Sequence, residues 1–281
     1  MNKFFKFIPV AVCAMAGLSF ASCSDDDEPT DGGSDNNIVF SNGVPKEVGD
    51  MKISTNAAGQ VVKITEDDMT VVFDYVGATS KAVEIPTDYD MTMKVSWGDS
   101  DKGATFYIKR NAQGFIEYAY EVEHSSDWVN GEDVWFDKAN EWWFTYNANG
   151  QMATMKRTEG NNEVTTITYA GGDITKVEMH DGDGDEMLCT ISYTDATHST
   201  PIDNKGGIML YDDTFRIDMD EMAPAYYAGL LGKGTSHLPL GAIEDEDDVY
   251  TFTWTLNSAG LPTKFYGVNK YGDTDEYKFV W

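Results

Sequence analysis

Two short stretches hold the residues best suited to chemistry. His180-Asp181-Gly182-Asp183-Gly184-Asp185-Glu186 sets carboxylates at alternate positions in a glycine-rich turn. Calcium takes several carboxylate and carbonyl oxygens, so Asp181, Asp183 and Asp185 are candidate ligands of a weak Ca²⁺ site. The helix–loop–helix calcium pattern fails, because Ser192 stands where the closing bidentate Glu is needed. The plainer reading is a hairpin tip. The second stretch holds Trp128, Trp135, Trp142 and Trp143, with Tyr118, Tyr120 and Tyr146 near in sequence. Aromatic faces can stack on sugar rings while Asp127, Asn130 and Asp133 bond hydroxyls. Trp128, Trp135 and Trp142 are therefore a candidate glycan platform. The plainer role for such rings is core and cross-strand packing. Adjacent Trp142 and Trp143 must point to opposite faces of a strand.

No catalytic residue is assigned. The four histidines, His124, His180, His198 and His237, are scattered, and neither an HExxH pair nor a Cys/His ligand spacing occurs. Lys233 and its neighbouring glycines follow a predicted helix rather than opening one, which is the reverse of a phosphate loop. Paired carboxylates for glycoside hydrolysis are not marked out among so many acids. Asp245-Glu246-Asp247-Asp248 reads as a solvated loop. A net charge of −28 argues against nucleic-acid binding, which needs clustered Lys and Arg.

The positioning elements begin with the N-terminus. Lys3 and Lys6 flank an apolar run, Phe7 to Phe20, that ends in Ala21-Ser22-Cys23. A basic start, a short apolar core and small residues before a cleavage point make a secretory signal. The run is too short to span a bilayer, which takes about 20 residues. Residues 1–22 thus read as signal, Cys23 as the acylated residue, and 23–37 as a flexible acidic tether too polar to fold. Cleavage removes Lys3 and Lys6 and no acid, so the net charge moves from −28 to −30. Cys13 leaves with the signal and Cys23 carries lipid, so Cys189 is alone and reads as a small buried hydrophobe.

Residues 38–281 repeat one pattern. Asn56-Ala-Ala-Gly59, Asn111-Ala-Gln-Gly114, Asn147-Ala-Asn-Gly150 and Asn257-Ser-Ala-Gly260 each join two runs of alternating aromatic or β-branched residues. Asn opens a turn by bonding its own backbone, and Gly supplies the positive φ that closes it. Tyr169 to Ile174 reads as a degenerate fifth copy. The fold class is mainly β: a large curved antiparallel sheet or open barrel built of repeated hairpins, with one short α-helix near 220–232. That helix, with Pro224 near its first turn, is expected to cover one opening or face of the sheet.

The N-terminus resembles the precursors of Bacteroidetes lipoproteins. There an acidic stretch after the acylated cysteine directs export to the outer face of the outer membrane, and Asp25 to Glu28 match it. The hairpins, together with Ala228-Gly-Leu-Leu-Gly-Lys-Gly-Thr-Ser-His-Leu-Pro239, resemble a family of Bacteroidetes surface lipoproteins described as having a porin-like fold. The hairpins alone also resemble tyrosine-aspartate repeats of bacterial surface proteins. The resemblance implies a curved antiparallel sheet and transfers no activity. The expected protein is a non-enzymatic lipoprotein of the outer membrane, facing outward and binding an extracellular ligand such as a glycan. The alternatives are a structural or assembly component of the envelope and, third, a hydrolase.

Overall fold

The computed structural model describes residues 39–75, 88–98, 102–129, 132–245 and 247–281. The expected signal, Cys23, the acidic tether and Asn130 lie outside the described residues. The chain forms β1 (Glu47–Val48), β2 (Met51–Thr55), β3 (Val61–Glu66), β4 (Met69–Tyr75), β5 (Met91–Trp97) and β6 (Gly103–Arg110). It continues with β7 (Ile116–Val129), β8 (Glu132–Tyr146), β9 (Met152–Arg157), β10 (Val164–Ala170), β11 (Asp173–His180) and β12 (Glu186–Ser192). The last strands are β13 (Ile202–Asp203), β14 (His237–Leu238), β15 (Gly241–Glu244), β16 (Asp248–Leu256), β17 (Pro262–Asn269) and β18 (Thr274–Val280). All but β13 and β14 make one antiparallel barrel. The barrel is closed rather than open, because β1 pairs with both β2 and β18.

The predicted turns form as their residues require. Asn56, Asn111, Asn147 and Asn257 each accept backbone N–H groups two and four residues on, at 2.9–3.1 Å. Asn269-Lys-Tyr-Gly272, unmarked by the sequence reading, makes the same turn between β17 and β18 at the opposite rim. Tyr169 to Ile174 is a different device. Ala170 pairs with Asp173 across a two-residue Gly171-Gly172 turn whose φ values are both positive.

A barrel of 16 strands encloses more space than its own side chains fill. The segment between β12 and β15 fills it. This segment carries α1 (Tyr211–Phe215), a 3₁₀ helix (Asp220–Tyr226) and the β13–β14 pair. Phe215, Met222, Tyr226 and Leu231 are fully buried and belong to one core with Ile64, Phe106, Trp142 and Phe265 of the wall. The helix expected near 220–232 is therefore corrected in type and place: it is 3₁₀ and lies inside the barrel. Pro224 supplies no N–H, and i→i+3 bonds from Met222 to Met219 and from Tyr227 to Pro224 tighten the turn.

The filling is fastened at both ends. Near the Asn-x-x-Gly rim, Ile116 N–H donates to Leu230 O at 2.8 Å and Lys233 N–H to Gly150 O at 2.8 Å. At the other end Arg157 of β9 donates to Glu163 at 2.9 Å, to Asp218 at 3.0 Å, and to Asp220. The Arg157 guanidinium also lies 5.4 Å from the Trp142 ring. Beside it the buried Glu121 carboxylate accepts the Trp142 indole N–H at 2.8 Å. Burial, with Glu221 and Glu159 near, pushes Glu121 up to about 7.

The outer wall carries lysines among threonines and some exposed apolar side chains. Lys94, Lys109, Lys156, Lys264 and Lys278 alternate along their strands with buried Val95, Ile108, Met155, Phe265 and Phe279. A lysine on a lipid-facing wall costs about 2–4 kcal/mol at the bilayer midplane. Among the described residues no helix is long and apolar enough to cross a membrane.

Two stability predictions follow from these contacts. Gly114 sits at φ +86° with nothing within 4 Å of an added Cβ, so Gly114→Ala meets backbone strain alone. A loss of about 1–2 kcal/mol is expected in denaturant titration, and an unchanged midpoint would contradict the turn geometry. Glu121 holds its proton more tightly in the folded chain than at its ordinary 4.5. Stability from this group is therefore full below pH 4.5 and is lost as pH rises to about 7. Glu121→Gln keeps the acceptor for Trp142 and removes the buried charge. It should melt higher than the parent at pH 8, by roughly 2 kcal/mol in stability, and match it at pH 4. Equal melting at pH 8 would mean that the carboxylate is not costly there.

Candidate functional site

The Asn-x-x-Gly hairpins on either side of β7 and β8 set the geometry of the outer wall. After each turn one extra residue is left unpaired: Glu117 in the β6–β7 pair and Ala153 in the β8–β9 pair. Beyond these bulges the strands come into a single row, Lys109 opposite Tyr118, Tyr118 opposite Trp143, and Trp143 opposite Lys156. Four adjacent strands at about 4.8 Å spacing make this row roughly 14 Å long. Its side chains point outward, because Ile108, Ala119, Trp142 and Met155 beside them are buried inward.

The row carries a half-buried aromatic shelf. Tyr118 and Trp143 have ring centroids 5.8 Å apart, and Tyr89, just before β5, stacks on Tyr118 at 6.5 Å and 20°. Tyr107 tilts against Tyr89 at 5.7 Å. Lys109 Nζ lies 5.1 Å from the Tyr89 ring centre and 5.6 Å from that of Tyr118. Lys156 Nζ lies 5.1 Å from the Trp143 ring. Tyr118 donates its hydroxyl to Glu141 at 2.8 Å, and burial together with that bond raises its pKa. Tyr89, Lys109, Glu117, Tyr118 and Trp143 line a shallow open depression of about 480 Å³. Flat rings with donors and acceptors at their edges can stack on a sugar and bond its hydroxyls.

The platform expected from sequence is not assembled. Trp142 is 0% exposed and faces the Glu121 side of the wall. It points inward because inward and outward alternate along β8, and its neighbour Trp143 takes the outward place. Trp135 is 41% exposed on the long β7–β8 ribbon, stacked on His124 at 4.9 Å and 11°. Trp128 is opposite Asp133 in register, and its side chain lies outside the described set. On the same pair of strands the half-buried, outward ring is Trp143. Lys109, Tyr89 and Lys156 went unseen because only cross-strand register brings them to Trp143.

The acidic tip between β11 and β12 is a turn. Asp181 Oδ1 accepts the N–H groups of Asp183, Gly184 and Asp185, each at 2.9 Å. Asp181 is thus committed to its own backbone, and among the described residues no three His, Cys, Asp or Glu side chains converge to hold a metal. Cys189 is buried on β12, and desolvation pushes its thiol up to about 12.

Comparison with known proteins agrees with the barrel. A family model described as a domain of unknown function (DUF4595) with porin-like fold matches residues 53–264. The crystal structure of a porin-like protein from Bacteroides uniformis is similar with a TM-score of 0.55 at 17% identity, over 82% of this chain and 89% of that one. A porin-like protein from Bacteroides vulgatus is similar with a TM-score of 0.51 at 13% identity, over 84% of this chain and 98% of that one. At such identities the likeness is one of fold. No curated protein matches the chain.

Proposed function

This chain belongs to the family of domains of unknown function with a porin-like fold, and on that premise we propose that it is a lipid-anchored surface protein that binds a glycan on its outer wall. The observation that carries this reading is the row of Tyr118 and Trp143 between Lys109 and Lys156. Half-buried rings held rigid by a sheet lose little side-chain entropy when a sugar stacks on them. The role is binding without turnover, and shortening of a bound glycan by the purified chain would overturn that part of it.

The anchor reading rests on Ala21-Ser22-Cys23 and the acids that follow. It is supported by the lysine-bearing outer wall, which is unfit for lipid contact and leaves attachment to another part of the chain. Acylation at Cys23 supplies that attachment, with each buried CH₂ worth about 0.8 kcal/mol. The outer membrane, with the barrel facing outward, is the proposed place. A role in envelope assembly is the second reading. It is favoured by Val134, Trp135 and Phe136, which are left exposed together on the β7–β8 ribbon.

Two experiments test these readings. On a glycan array the purified full chain should retain a set of oligosaccharides, and Trp143→Ala or Tyr118→Ala should weaken them at least tenfold, about 1.4 kcal/mol. Trp135→Ala is the control and should leave binding unchanged. If Trp135→Ala abolishes the chain's role in cells and Trp143→Ala does not, the assembly reading takes precedence. For the anchor, Cys23→Ser should abolish incorporation of labelled palmitate and move the protein out of the detergent phase. Continued incorporation would refute acylation at this residue.

A further inference from the structure

The ends of the shelf carry more information than its centre. In a chain with 48 acidic residues and 20 basic ones, carboxylates are plentiful. Lys138, Lys176, Lys264 and Lys270 take one. Lys109 and Lys156 form no ion pair among the described residues and instead lie against rings of the shelf. A ring face holds an ammonium by its quadrupole without consuming its hydrogen-bond donors. Each lysine is thus oriented and still has donors to offer an anion. They stand at opposite ends of one cross-strand row, with Tyr118 and Trp143 between them.

We infer that the shelf selects acidic oligosaccharides, chains whose sugars carry carboxylate or sulfate groups, with Lys109 and Lys156 contacting the anions while Tyr118 and Trp143 stack on the rings. This rests on the glycan-binding reading and narrows it. The two carboxylates of the shelf are placed to permit it. Glu141 already accepts the Tyr118 hydroxyl, and Glu117 is the exposed bulge residue at the rim. The overall charge of −28 repels any polyanion at long range. That repulsion is largely screened beyond about 8–10 Å at physiological salt, whereas a contact with a lysine is not. Selection by the shelf is therefore local, and it favours short acidic segments over long charged polymers.

The test compares matched ligands on the purified full chain by calorimetry. Oligogalacturonate and its methyl ester share a backbone and differ in charge. A sulfated oligosaccharide and its desulfated form make the second pair, and the two pairs distinguish carboxylate from sulfate. At least one acidic member should bind ten times more tightly than its neutral partner. Lys109→Gln with Lys156→Gln should erase that difference, so that acidic and neutral members bind alike. Trp143→Ala should weaken both members of the pair. Equal binding of acidic and neutral members would overturn the selection while leaving glycan binding in place. Binding of no member, with the array also blank, would overturn both. A retained preference for the acidic member in the double lysine variant, with its melting temperature unchanged, would move the anion contact away from these lysines and refute the assignment.

Discussion

The width of the barrel is the constraint on which the rest of the structure depends. Closing 16 strands removes every exposed sheet edge but encloses a lumen too wide for wall side chains alone. The chain meets this by folding its longest connection, between β12 and β15, back inside. That connection cannot be an ordinary surface loop. It must bring its own apolar side chains and satisfy its own backbone groups in a dry interior. Tyr226 and Tyr227 do both, burying their rings while donating hydroxyls to Gly207 O and Met209 O. The filled lumen gives the porin-like outline its meaning in this chain: among the described residues the interior is an apolar core.

Filling the lumen has an electrostatic consequence at one mouth. The inserted segment arrives with Asp212, Asp213, Asp218, Asp220 and Glu221, and the wall adds Glu121 and Glu163. Arg157 compensates part of this by bonding wall and filling together. Removing one partner from such a set leaves a buried charge alone, which costs more than the intact pair contributes. Burial pushes Glu121, Asp213 and even the Arg157-bonded Asp220 up to about 7. The interior is therefore held by apolar packing, with its acids partly working against it. The outer face, rich in threonine and lysine, gives the alternation that keeps the inner face apolar.

Much of the architecture was legible because hairpins are local. Asn111 and Gly114 announce a turn within five residues, and the flanking alternation announces two strands. Closure was not legible, since it depends on β1 meeting β18 across almost the whole domain. The filling was half legible. A helix near 220–232 could be read, and a 3₁₀ helix occupies Asp220–Tyr226 of it, but whether that stretch covers or enters the barrel follows from the enclosed volume, which sequence does not display. The tip at Asp181 looked like a cation loop because the same oxygens serve a turn and a metal. In the fold Asp181 Oδ1 holds three N–H groups of the loop itself.

The outer shelf shows most clearly how one structural device reaches into function. Trp142 and Trp143 are chemically identical, and a strand gives one of them to each face. Which is which depends on register, because a slip of one residue would exchange them. Here register is set by the Asn-x-x-Gly turns, each followed by one unpaired residue at the same offset: Glu117 after Asn111 and Ala153 after Asn147. Without the bulge after Asn147, β9 would meet β8 one residue out of step, and Lys156 would no longer stand opposite Trp143. Without the one after Asn111, Lys109 would lose Tyr118 in the same way. The repeated turn therefore closes hairpins, and through its bulge it also aligns two aromatic rings between two cations. A motif whose every residue has a turn-making job thus also decides which side chains share the outer face of these four strands.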